Sequence, residues 1–289
     1  MVSILANRPV LRSLLRPVGR PLYRALVYSY FLYVSKRYGW IYPKRQSWAT
    51  GIQFALGKYE LETTELIKHE LCDGAIFVDV GANVGYYSRL AAQIVGSRGQ
   101  VFAFEPEPEN FACLIHNTRK LLNIFPIPMA LAESSSLKKL FISSFSGSHS
   151  LVDKDYFKGG KYIWVPTITF DDFYQAVGLT RIDLVKIDVE GAEPLVLDGM
   201  KQALRQHVIE AMIVEYCPGY LKSGGSDPIT FGRRLMQHFD IWLIGPKEKY
   251  GLTEDKVNGL ESFESLTTVI TTQSKWGYVN LFCKRKSDQ

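Results

Sequence analysis

Long apolar runs are missing from this 289-residue chain. Nowhere do about 18 hydrophobic residues follow one another, so a transmembrane helix is not expected. The longest candidate, residues 25–34, is too short; it follows three prolines and five arginines and has no small-residue cleavage site behind it, which argues against a secretory signal. Cysteine is scarce. Cys72, Cys113, Cys217 and Cys283 stand far apart with no C-x-x-C pair, so neither a zinc site nor a compact disulfide framework is indicated, and a reducing, cytoplasmic compartment is favoured. Asn-x-Ser/Thr acceptor sites are absent too. Acids are absent from one region only: residues 1–59 hold ten Lys or Arg and no Asp or Glu, while the remainder carries 24 basic against 29 acidic residues. An electropositive arm on a mildly acidic body implies a local anionic contact, such as a membrane surface, rather than a whole-domain nucleic-acid footprint.

What is present divides at about residue 45. Residues 1–45 read as a basic, aromatic-rich arm in which Pro9, Pro17 and Pro21 interrupt the first half and residues 22–38 run as a helix. Three readings of that helix stay open: an interfacial segment in a headgroup layer, a helix packed on its own domain, or an organelle-targeting peptide. Residues 46–289 read as one domain; 46% hydrophobic and 22% charged residues over the whole chain allow an ordinary buried core. Apolar stretches there alternate with helical ones, the pattern of an α/β fold with a mostly parallel sheet covered on both faces. Strands are expected at residues 75–80, 100–104, 124–130, 182–187, 208–216, 241–244 and 278–283. Helices are expected at 62–71, 86–95, 108–122, 194–204 and 228–238. Residues 137–143 and 163–170 look extended, with a serine-rich loop between them, and a polar loop separates the last two strands.

The most informative stretch is Val78-Asp79-Val80-Gly81-Ala82-Asn83-Val84-Gly85, a buried strand running through a glycine turn into a helix. Such a turn brings backbone close to a ligand at a helix N-terminus. Its glycines are four apart, with an acid two residues before the first, unlike the G-x-G-x-x-G that cradles a dinucleotide pyrophosphate. That spacing disfavours an NAD-dependent oxidoreductase and fits S-adenosylmethionine, which has an amino-acid end instead. A second acid, in Glu105-Pro106, ends the next strand about 20 residues on, where a carboxylate can accept ribose hydroxyls.

Four separate stretches resemble the FkbM family of methyltransferases: residues 77–85 (FVDVGANVG), 103–106 (AFEP), 167–173 (TITFDDF) and 183–193 (DLVKIDVEGAE), within a match over residues 59–216. The resemblance implies a Rossmann-like class I sandwich of seven strands, the last-inserted antiparallel. It also implies S-adenosylmethionine as methyl donor and O-methylation of a hydroxyl on a sugar, glycolipid or related small molecule. Carried over by position, Asp79, Gly81, Ala82, Asn83 and Gly85 surround the amino-acid end. Glu105 and Pro106 hold the ribose, Ala130 and Leu131 the adenine, and Asp188 sits near the sulfonium.

A hydroxyl acceptor must lose its proton. The residues proposed for that work are Glu190, Asp188 and His149, with Glu193 as a further acid that can simply cap a helix. Asp188 and Glu215 end neighbouring strands and could share a divalent cation, but no third ligand is legible, so no metal enters the main expectation. Tyr156, Tyr162 and Trp164 are candidate walls for an acceptor glycan. No Asp/Asn-Pro-Pro-aromatic motif follows the fourth strand, which weakens a nucleic-acid amino-methyltransferase reading. A non-catalytic cofactor-binding or membrane-associated scaffold stays open.

Overall fold

In the computed structural model, residues 9–154, 160–245, 255–274 and 277–286 are described, with side chains from residue 21 onward. The core is a seven-stranded sheet made of β1 (Ile76–Val80), β2 (Gln100–Phe104), β3 (Ile124–Ile127), β7 (Leu184–Ile187), β8 (Ala211–Tyr216), β9 (Phe239–Ile244) and β10 (Val279–Arg285). Its spatial order is β3-β2-β1-β7-β8-β10-β9; β10 runs antiparallel to both neighbours, and the pairings from β3 to β8 are parallel. The class I topology expected from the motifs is therefore present. β1 and β7 are almost continuously apolar because both sheet faces are covered.

Alternation along β1 divides its side chains between two cores. Phe77 joins Ile67 of α3 (Leu61–Glu70), Ala91 of α4 (Tyr86–Val95) and Leu114 of α5 (Pro108–Thr118). Val78 and Val80 join Phe173 of α6 (Phe170–Val177), Val196 of α7 (Glu193–Asp198) and Leu235 of α10 (Pro228–His238). Helix starts follow local chemistry. Glu107, Thr169 and Asp227 each accept a hydrogen bond from a backbone amide three residues on, and proline occupies the first turn of α5 and α10.

Several expectations change. Helix α1 (Pro9–Tyr38) runs through Pro17 and Pro21 instead of being broken by them; proline's φ is already helical, and each proline removes one backbone donor. The strand expected at 124–130 ends at Ile127. Ala130 and Leu131 form β4 of a separate three-stranded sheet, parallel to β6 (Tyr162–Ile168), which pairs in turn with β5 (Ser136–Phe141). The helix expected at 194–204 breaks at Gly199 into α7 and α8 (Lys201–Arg205). Part of the polar loop before the last strand is α11 (Gly259–Gln273), which buries Phe263, Leu266 and Ile270; its threonine-rich sequence hid that apolar face. Helices α2 (Trp48–Leu56) and α9 (Pro218–Ser223) were not expected, although Ser47 and Gly57 cap the first and Pro218 opens the second.

The end of the arm is part of the domain. Val34 and Trp40 are buried with Phe54 of α2, and Arg89 lies 4.9 Å over the Trp40 ring. Asn117 of α5 holds Ile41 by both backbone groups, accepting from its N–H at 2.8 Å and donating to its carbonyl at 3.0 Å. The outward side of α1 leaves Leu22, Tyr23, Leu26 and Tyr33 exposed. No helix among the described residues is long and apolar enough to cross a membrane.

Candidate functional site

A cavity of about 370 Å³ opens at the carboxyl ends of β1, β2, β7 and β8, where ligands of open parallel sheets bind. Gly81, Ala82, Asn83, Glu105 and Pro106 line it, as do Ala130, Leu131 and Asp188. Gly81 adopts φ +86°, and a Cβ there would lie 2.0 Å from the Asp188 carbonyl oxygen; the residue is glycine because the two strand-end loops touch at that point. The Gly81 and Ala82 amides both donate to the Phe104 carbonyl (3.0 and 2.9 Å), so they tie the turn to the end of β2 and do not point at a ligand. The Asn83 side chain offers the polar contact instead: its Oδ1 is buried with no partner, as is Oδ1 of Asn110 on α5.

Glu105 is buried in the wall. Its Oε2 accepts from the Asn83 amide at 2.8 Å and its Oε1 from the Glu107 amide at 2.9 Å. Burial pushes its carboxyl up to about 8 against the pull of those two amides. Each oxygen keeps a second lone pair for a hydroxyl donor. Two residues carried over by position do not face the cavity. Asp79 is 1% exposed and turns into the protein, accepting from Ser88 Oγ of α4 at 2.6 Å, so it anchors the helix start. Gly85 packs α4 on α5, where a Cβ would lie 2.7 Å from Leu114.

The acids converge further along the same cavity. Asp188, Glu190 and Glu215 each place a carboxylate oxygen within 4.8 Å of the others. Lys186 Nζ donates to Asp188 Oδ2 at 2.7 Å, and the fully buried Lys154 donates to Glu190 Oε2 at 3.1 Å. Burial pulls the Lys186 ammonium down, but Asp188, Glu60 and Asp79 outweigh it and hold the group above the usual lysine range. Burial, then the charges of Asp188 and Glu193, pushes Glu190 up to about 7 against the pull of Lys154. Burial followed by Asp188 and Glu190 pushes Glu215 well up, and its Oε2 has no partner. Glu190 sits at φ +59°, a conformation that costs about 1–3 kcal/mol and aims its side chain into the cavity. Glu193 works on the backbone instead. Its Oε1 accepts from the Val189 and Gly191 amides, both at 3.1 Å, and clamps the loop that presents Glu190.

The remaining walls were largely invisible in the sequence. Tyr59, Tyr86, Tyr87 and Tyr278 form an aromatic side, and Arg45 of the arm, Gln46 just after it and Thr50 of α2 complete the lining there. Serine loop residues 145–151 also line the cavity, with Arg45 donating to the Ser143 carbonyl at 2.8 Å and Ser146 to Gln46 at 3.0 Å. His149 lies in that loop. Its Nδ1 accepts from the Ser143 amide at 3.0 Å, which leaves the proton on Nε2, and burial aided by Arg45 pushes its pKa down to about 4. It presents a neutral donor, not a base. Tyr162 and Trp164 are exposed on β6 beneath Lys139; Tyr162 borders an adjoining hollow of about 600 Å³, Trp164 lines neither space, and Tyr156 lies outside the described residues. A lysine inside the apolar strand Leu184–Ile187 was the one sequence signal that could have revealed Lys186.

Residues 79–250 match the family model described as the methyltransferase FkbM domain. Hexuronic acid methyltransferase AglP of Haloferax volcanii is 30% identical over 164 residues, covering 55% of this chain and 63% of that protein. 2-O-methyltransferase NoeI of Sinorhizobium fredii is 28% identical over 143 residues, covering 45% of this chain and 58% of that protein. The chain thus spans less than two thirds of the length of these curated relatives. A SAM dependent methyltransferase from Aquifex aeolicus aligns over 80% of this chain and 93% of its own at 11% identity and a TM-score of 0.41. The family match covers more than half of the chain and runs unbroken from the end of β1 past β9, and the chain belongs to the FkbM methyltransferase family.

Proposed function

We propose that this protein transfers a methyl group from S-adenosylmethionine to a hydroxyl of a sugar, glycolipid or related small molecule. One observation carries the reading: a single cavity is lined both by Asn83 and Glu105 and by the carboxylates of Asp188, Glu190 and Glu215. The donor set fits the cofactor, because the orphaned Oδ1 atoms of Asn83 and Asn110 accept from ammonium or hydroxyl groups and Glu105 accepts from ribose. Ala130 and Leu131 give the adenine an apolar wall. When bound, S-adenosylmethionine supplies an electrophilic methyl carbon whose bond to sulfur breaks, the electron pair staying on sulfur, as the acceptor oxygen bonds to it. Glu190 takes the hydroxyl proton, His149 Nε2–H orients the acceptor, and the tyrosine side excludes water. The two named relatives, a hexuronic acid methyltransferase and a 2-O-methyltransferase, support a hydroxylated, sugar-type acceptor.

Calorimetric titration with S-adenosylhomocysteine tests the cofactor site, and transfer of labelled methyl to neutral and uronic-acid glycans tests the acceptor. Glu105→Ala is expected to lose cofactor affinity. Glu190→Gln is expected to keep it and lose turnover by about 10²–10⁴-fold. A folded wild type that binds no S-adenosylhomocysteine overturns the reading, and binding without turnover on any hydroxylated acceptor favours a non-catalytic role.

The arm supports a second, separable proposal: α1 rests on an anionic bilayer as a peripheral contact on the cytoplasmic side. Leu22, Tyr23, Leu26 and Tyr33 are exposed in a segment without acids, a combination suited to an interfacial helix. The four free cysteines suit a reducing compartment, and the net acidity beyond residue 59 disfavours a nucleic-acid partner.

A further inference from the structure

We infer that Asp188, Glu190 and Glu215 hold a hard divalent cation of the Mg²⁺ or Mn²⁺ class inside the cavity, beside the acceptor position. The inference deepens the methyltransferase reading and rests on it for its chemical purpose, though not for the binding itself. Three carboxylate oxygens from three different places in the fold come within 4.8 Å of one another: the end of β7, the left-handed turn after it, and β8. A cluster of acids alone would mean little, but Glu215 adds an independent sign. It is 8% exposed, it belongs to an interior strand, and its Oε2 has no hydrogen-bond partner. A buried carboxylate oxygen left without a donor is costly, so a proton or a cation belongs there.

Charge and donor chemistry favour the cation. Lys186 and Lys154 offset two of the three negative charges, and each engages one oxygen of its partner: Asp188 Oδ2 and Glu190 Oε2. Every carboxylate has two oxygens, and the third negative charge, on Glu215, has no lysine opposite it in the ion pairs of the described residues. All-oxygen donors with no thiol or imidazole select a hard ion, and three protein oxygens leave coordination positions for water and for an acceptor hydroxyl. A cation so placed polarises the acceptor hydroxyl, whose proton still leaves to a carboxylate of the cluster, while the methyl transfer is unchanged in its bonds. Asp188 has thus joined two functions, the sulfonium side of the cofactor and the cation.

The test uses the full chain without cofactor. Mn²⁺ is titrated in and followed by loss of its free-ion electron paramagnetic resonance signal, with Mg²⁺ as competitor. One saturable Mn²⁺ per chain is expected, displaced by Mg²⁺ and weakened at least about tenfold in both Glu215→Gln and Asp188→Asn, with folding of each variant checked by circular dichroism. Absence of saturable Mn²⁺ binding by the wild type overturns the inference whatever the variants do, as does equal binding in folded variants; Glu215 would then be holding a proton. S-adenosylhomocysteine titration of the wild type without added Mn²⁺ reads the cofactor site separately, so failure of the methyltransferase reading and failure of the metal site are told apart.

Discussion

Lys186→Met removes the cation around which the buried acids are organised. Lys186 is 2% exposed, with its ammonium 2.7 Å from Asp188 Oδ2 and 4.7 Å from the Tyr87 ring centre. Behind it, Asp79 is fully buried with one oxygen unpartnered, and the lysine charge is the strongest influence holding that carboxylate down against burial. Losing one partner of a buried ion pair costs about 3–5 kcal/mol. Asp188 keeps a side chain 25% exposed and can recover some hydration, so the lower end, about 3 kcal/mol, is expected here. At about 2–4 °C per kcal/mol that lowers the unfolding midpoint by about 6–12 °C. The sign with pH follows from Asp79. Burial already raises its folded-state carboxyl above the unfolded value, and without the ammonium it rises further, so the folded state holds a proton that the unfolded chain has released. The deficit is therefore smallest near pH 5 and grows toward pH 8. Thermal unfolding followed by circular dichroism at both pH values, on Lys186→Met and on the double variant with Asp79→Asn, reads this directly. The second substitution should restore part of the loss. A midpoint within about 2 °C of wild type, or a deficit that does not change with pH, refutes the account of Lys186 as the charge that holds the Asp79 carboxyl down against burial.

Other expectations follow from single contacts. Gly81→Ala puts a Cβ 2.0 Å from the Asp188 carbonyl oxygen at φ +86°, so it should destabilise by more than the about 1–2 kcal/mol of a left-handed alanine and abolish S-adenosylhomocysteine binding; unchanged affinity would contradict the contact between these loops. Glu105 has its folded pKa raised to about 8. The cofactor-free protein should therefore gain stability as pH falls from 8 toward 5, and Glu105→Gln should flatten that slope in thermal unfolding. Tyr23→Glu with Leu26→Glu, both on the exposed side of α1, should weaken binding to phosphatidylserine vesicles while leaving the unfolding midpoint and cofactor affinity unmoved. Removing residues 1–45 altogether is a harsher change. It uncovers Phe54 by deleting Val34 and Trp40 and removes Arg45 from the cavity wall, so it should lower stability as well as membrane binding.

The sequence by itself determined what is written in consecutive residues. Apolar runs bounded by glycine and proline set the strands; Glu107-Pro108 and Asp227-Pro228 set helix starts; the glycine turn at 81–85 and Glu105 after β2 marked the cofactor end of the sheet. These are local because backbone conformation and strand-end position depend on nearby side chains. Tertiary structure alone decided which side chains meet. Whether Asp79 faces the cavity or Ser88, and whether Glu190 joins the already expected pair Asp188 and Glu215 as a third acid, depends on register and on the left-handed turn at Glu190, since alternate residues of a strand point to opposite faces. The same holds for Ala130, which left its expected strand for a second sheet, for Lys154, drawn from a distant loop to Glu190, and for Arg45, drawn to the cavity wall. The chemistry of the acids was legible one residue at a time; their convergence is a property of the sheet order β1-β7-β8, which no local pattern encodes.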